Sequence, residues 1–185
     1  MPPFLLLAAA FQAALAAPQC AIDRAVYRLH GAPVFTAGFL RQDRRKVQAS
    51  DLALWLKTRE RTYFFALGTP NGYGGTYITP DIDPRISARL DDDAEREATG
   101  QATAGEPMTI EFDAFAPNLA AYEMPPQSGD PAPALLFARR LGPALWYESV
   151  RLSGNDESAK PESMPIGLFE PAGCGGPPDG ASTLR

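Results

Sequence analysis

Histidine occurs once in the 185-residue chain, at His30, and cysteine twice, at Cys20 and Cys174. A serine–histidine–aspartate relay would have to use His30, and no serine stands in a Gly-x-Ser-x-Gly elbow. A zinc centre needs three or four nitrogen or sulfur ligands, more than one histidine and a bridged cysteine pair supply. His30 itself sits in "HGAP" and reads as a solvated turn residue. Positive charge is also sparse: the net charge is −5 and the densest basic run is "RQDRRK", Arg41 to Lys46. Nucleic-acid binding rests on a basic footprint, so it is not expected. There is no internal repeat, and no stretch carries a motif that assigns a family.

Charge is absent altogether from Met1 to Ala17, and Phe4 to Leu15 is almost wholly apolar. That run falls short of the roughly 20 apolar residues of a spanning helix. It fits a secretory signal, with Ala14-Leu15-Ala16 as the small-x-small cleavage site. The reading is a signal peptide over 1–16, a single β-rich domain over 17–174 and a disordered tail over 175–185. The mature chain would have no transmembrane segment and would be periplasmic or extracellular. In an exported chain the pair Cys20 and Cys174 reads as a disulfide. A reactive thiol pair would want a Cys-x-x-Cys spacing or basic neighbours, and has neither. So large a closed loop is worth about 5 kcal/mol in loop-closure entropy.

What is plentiful is apolar sequence, at 45% of residues, arranged mostly in strand patterns. "AVYRL" and "VFTAGFL" flank the "HGAP" turn; "DLALWLKT" and "RTYFFALG" form a second pair. "GGTYIT", "MTIEFDAF", "LLFARR" and "ALWYESVRL" follow, the last two joined by a turn at Leu141-Gly142-Pro143. Ile110, Phe112 and Ala114 alternate with Thr109, Glu111 and Asp113, the period of two of a strand with one wet face. "YFFAL" is apolar on both faces, as in a strand covered on both sides. Ser50 could cap a helix over Asp51 to Lys57, but the alternation Leu52-Leu54-Leu56 favours a strand. The expected fold is mainly β: an antiparallel β-sandwich or small barrel of about eight strands, with one short surface helix. That helix is placed over Pro84 to Ala98, with Asp83 as its cap and Pro84 at its first position. The Pro- and Gly-rich segment from Pro161 is expected to wrap the body irregularly as far as Cys174, and "MPPQSGDPAP" to connect two strands.

The stretch "YFFALGTPNGYGGTYITPDID" from Tyr63 to Asp83 reads first as a hairpin leading to a helix cap, its glycines supplying positive-φ positions. Its functional reading is an aromatic platform of Tyr73 and Tyr77 with Asn71 and Asp81 as polar partners, a composition suited to sugars or peptides. Carboxylates are the remaining catalytic resource. Seven acids and three arginines lie between Asp81 and Glu97. Asp91, Asp92 and Asp93 are candidate Ca²⁺ ligands because hard cations take clustered carboxylate oxygens, although the EF-hand pattern is missing. Otherwise no cofactor is expected. Glu111, Asp113 and Glu148, all read as strand residues, are the candidate acid–base groups of a polysaccharide hydrolase.

These features point to an exported, non-catalytic domain that binds an envelope component, such as a glycan, or a protein partner. Two alternatives stand beside it: a carboxylate-based hydrolase of envelope polysaccharide, and an inhibitor or immunity protein that plugs a hydrolase with its acidic loop.

Overall fold

A computed structural model describes residues 20–42, 49–70, 75–87, 89–90, 94 and 108–177. The proposed signal over 1–16 lies outside these residues. Eight antiparallel strands run in chain order and close into a barrel. They are β1 (Ala25–Leu29), β2 (Ala32–Arg41), β3 (Leu52–Lys57), β4 (Thr62–Gly68), β5 (Thr76–Asp81), β6 (Ile110–Phe115), β7 (Leu135–Phe137) and β8 (Phe169–Cys174). β8 returns to pair with β1 and shuts the ring. Closure pairs every strand with two neighbours, although β8 meets β7 through a single residue pair.

Alternation decides what fills the barrel. Tyr27 and Leu29, Phe35 and Phe39, Leu52, Leu54 and Leu56, Tyr63, Phe65 and Leu67 point inward and are buried, as are Ile78, Ile110, Phe112, Leu136 and Phe169. Tyr27, Phe39 and Phe112 meet edge to face, with ring centroids 6.4 and 6.3 Å apart. An eight-stranded barrel is just wide enough for side chains to fill it. This apolar interior is the reverse of the polar lumen of a membrane-spanning barrel. Among the described residues no helix is long and apolar enough to cross a membrane. In β4 both faces are covered, as "YFFAL" suggests: Phe64 points outward, opposite Trp55 of β3, and both are buried.

Because successive strands alternate in direction, the connections β1–β2, β3–β4, β5–β6 and β7–β8 all leave from one end of the barrel. At the opposite end β1 begins, β8 ends and the other three connections leave their strands. There Cys20 and Cys174 form the disulfide, with their Cα atoms 6.1 Å apart. Arg24 and Gly175 extend the closure: Gly175 N–H donates to Arg24 O and Arg24 Nε to Gly175 O, each at 2.8 Å. Residues 178–185 of the expected tail lie outside the described residues.

Two segments differ from the sequence reading. "ALWYESVRL" is not a strand but two short helices, α2 (Leu141–Tyr147) and α3 (Ser149–Leu152), within the β7–β8 connection. Leu141, Ala144, Leu145 and Leu152 are buried in the core, a helical rather than a two-residue spacing. Gly142-Pro143, read as a turn, lies in the first turn of α2, where proline's missing N–H has no intrahelical acceptor to lose. "LLFARR" is accordingly a strand only as far as Phe137. The eighth strand is Phe169–Cys174, inside the segment read as irregular. Pro171 and Gly173 obscure it in sequence, but β8 meets β7 only through Leu136 and Phe169, so Pro171 occupies an effectively edge-like position. The helix proposed over Pro84 to Ala98 is described as α1 (Pro84–Ser87). Asp83 caps it, Oδ1 accepting from Arg85 N–H at 2.9 Å.

Candidate functional site

Two surfaces carry the residues of interest. The first is the outer wall of β4, β5 and β6. Tyr77 projects from β5 between Gly68 of β4 and Glu111 of β6. Its ring lies directly over Gly68, where a Cβ would come within 2.5 Å of ring atoms. Tyr77 is thus a half-buried aromatic flat against a backbone glycine. Asp81 points from the same face of β5, about 13 Å further along the strand, and its Oδ1 accepts from Ile82 N–H at 2.8 Å. Asn71 and Tyr73, the other members of the proposed platform, lie outside the described residues, as do Asp91, Asp92 and Asp93. Among the described residues no three His, Cys, Asp or Glu side chains are grouped to hold a metal ion.

Glu111 is exposed and Asp113 half-buried on the outer face of β6, about 7 Å apart along the strand. Glu148 does not lie on a strand. It occupies the junction of α2 and α3, 3.7 Å from the Arg151 guanidinium.

The second surface is the helical end. With Leu141, Ala144 and Leu145 turned into the barrel mouth, α2 and α3 turn Trp146, Tyr147 and Val150 outward, exposed by 49%, 80% and 36%. Arg139, Arg140 and Arg151 are exposed on the same segment. Reading these residues as a strand hid this arrangement. The signal available in the sequence was the run of outward residues at 139/140, 146/147 and 150/151, which repeats at helical spacing beside the buried set. Ile166 and Leu168, later in the same connection, are also exposed, and the backbone N–H of His30 in the β1–β2 turn donates to Leu168 O at 2.9 Å.

A buried polar clamp holds this end. The Glu162 carboxylate, 7% exposed, accepts from Thr58 Oγ1 at 2.7 Å and from the Tyr63 hydroxyl at 3.5 Å. Glu162 N–H donates to Leu145 O at 3.1 Å, so the same residue ties α2 to the β3–β4 turn. Burial, with the negative Glu162 beside it, pushes the Tyr63 phenol up to about 12. Arg61 lies 6.0 Å from the Tyr63 ring centroid and pairs with Asp156 at 3.2 Å.

Comparison of the chain with protein-family models, with curated proteins and with solved structures finds no match.

Proposed function

We propose that the chain is an exported, non-catalytic barrel domain that binds an envelope component or a protein partner through its outer surface. The observation that carries this reading is the combination of a barrel packed with side chains and a large, unsheltered pair of aromatics, Trp146 and Tyr147. A filled interior leaves recognition to the exterior, where exposed Trp and Tyr favour contact with a partner. The Cys20–Cys174 disulfide supports an oxidising compartment. An inhibitor is the special case in which the partner is a hydrolase.

The hydrolase reading rests on Glu111 and Asp113, which share the outer face of β6, whereas Glu148 lies at the α2–α3 junction. Among the described residues Glu111 and Asp113 stand on the outer wall of the barrel, which favours the binding reading. The test is to incubate the oxidised protein with envelope fractions and with envelope polysaccharide. Retention of a component that is recovered chemically intact is expected. Shortened polysaccharide, abolished by Glu111→Gln or Asp113→Asn, would replace binding with hydrolysis.

A further inference from the structure

The outward stripe of α2 and α3 combines three features that rarely coincide on a free surface. It offers apolar anchors on either side of the α2–α3 junction, Trp146 and Tyr147 followed by Val150. It is preceded by two exposed arginines, Arg139 and Arg140, in a chain whose net charge is −5, while Arg151 at its far end is already paired with Glu148. And it protrudes, since Tyr147 is 80% exposed. Trp, Tyr and Arg are the side chains that concentrate binding energy at protein interfaces. Apolar anchors projecting from helical segments are suited to a groove.

Resting on the reading of this chain as a binding domain, we infer that the α2–α3 stripe is its docking face and that the occupant is a protein offering an apolar groove with an acidic rim. The two aromatics and Val150 fill the groove, and Arg139 and Arg140 meet the rim carboxylates, steering association and fixing its register. The other occupants fit less well. A glycan calls for a concave site, and this one projects. A second copy in a twofold contact would set this basic face against an identical basic face. An anionic bilayer is a plane, and it would also meet the exposed carboxylates of Glu60, Glu157 and Glu170, which belong to the same end of the barrel.

The test places a photoreactive benzophenone side chain in the full chain at Tyr147 and, in separate controls, at Tyr77 and at Met124, which is 59% exposed at the disulfide end. The expected result is a discrete protein adduct from position 147 only, lost when Arg139→Glu and Arg140→Glu are combined. The cross-linked protein, once identified and purified, should bind the unmodified chain with an affinity that falls as salt rises. Trp146→Ala should weaken that affinity at least about tenfold, with Val150→Ser as a second variant. Unfolding midpoints report whether each variant folds. Label in lipid, an adduct indifferent to the charge reversal, or the same adduct from Met124 would overturn the inference. An adduct from Tyr77 or Met124 alone would remove this face while keeping the binding-domain reading; no adduct from any position would remove both.

Discussion

Thr58 Oγ1 donates to Glu162 Oε1 at 2.7 Å, joining the β3–β4 turn to a residue 104 positions later in a connection with little regular structure of its own. The bond closes over a carboxylate that is nearly removed from water, so its loss is felt in full. Removing the hydroxyl in Thr58→Val should destabilise the protein by about 1.5–3 kcal/mol, the range for hydrogen bonds to charged groups. The change should be read from chemical denaturation. A shift under about 0.5 kcal/mol, typical of surface positions, would show that the clamp contributes nothing.

Alkaline pH should act on the same region. Burial raises the Tyr63 phenol to about 12, and burial likewise raises Tyr27 and Tyr122. A group whose folded value is raised contributes stability that is complete below the unfolded value of about 10 and is lost as pH rises through the folded one. The unfolding midpoint should therefore fall between about pH 10 and 12, and Tyr63→Phe should flatten part of that fall. A midpoint insensitive to pH across this window would contradict the buried setting of these phenols.

At the acid end the sign reverses. Asp51 is pushed up by its slight burial, but the Ser128 hydroxyl and backbone N–H outweigh this and hold it below 3.8. Its contribution is present above that value and lost as pH falls through the lower, folded one. Ser128→Ala should reduce the acid sensitivity of the loop joining β6 to β7, measurable as hydrogen exchange at Gln127 and Ser128 on acidification.

The disulfide should be worth about 5 kcal/mol, because its two cysteines are separated by 154 residues and loop entropy grows with that length. Reductant, or Cys20→Ser with Cys174→Ser, should lower the denaturation midpoint sharply. The slope of the transition should change as well, since the unlinked unfolded chain expands. An unchanged midpoint would mean that the β1–β8 pairing closes the barrel unaided.

Two glycines should respond differently to alanine. At Gly38 a Cβ would meet Ala25 O at 2.5 Å and the Trp55 ring at 2.7 Å, so a backbone atom on the next strand stands in the way. Overpacking of this kind costs about 1–3 kcal/mol. At Gly68 the nearest obstacle is the Tyr77 ring, a side chain that can turn away. Gly68→Ala should cost less and report its effect as displacement of Tyr77, visible in aromatic nuclear magnetic resonance shifts.

Much of this molecule is legible along the chain because a strand with one buried face repeats every two residues. Leu52, Leu54 and Leu56, or Ile110, Phe112 and Ala114, announce which side chains face the core without reference to any neighbour. Two cysteines at opposite ends of the domain similarly left a single pairing. The doubly apolar "YFFAL" indicated a strand covered inside and out.

Tertiary structure alone decided the rest. "ALWYESVRL" carries aromatic and β-branched residues that suit a strand, yet it folds as helices because Leu141, Leu145 and Leu152 bury together only at helical spacing over the barrel mouth. "FEPAGC" holds two strand-breaking residues, yet it becomes β8 because β1 is left with unpaired backbone groups that only the returning chain can satisfy. Sequence records the periodicity of each segment, which is a local property. Which backbone hydrogen bonds remain to be filled, and which open end remains to be covered, is a property of the closed barrel. Trp146 and Tyr147 were therefore visible in the sequence as aromatics, but only packing determined that they face outward.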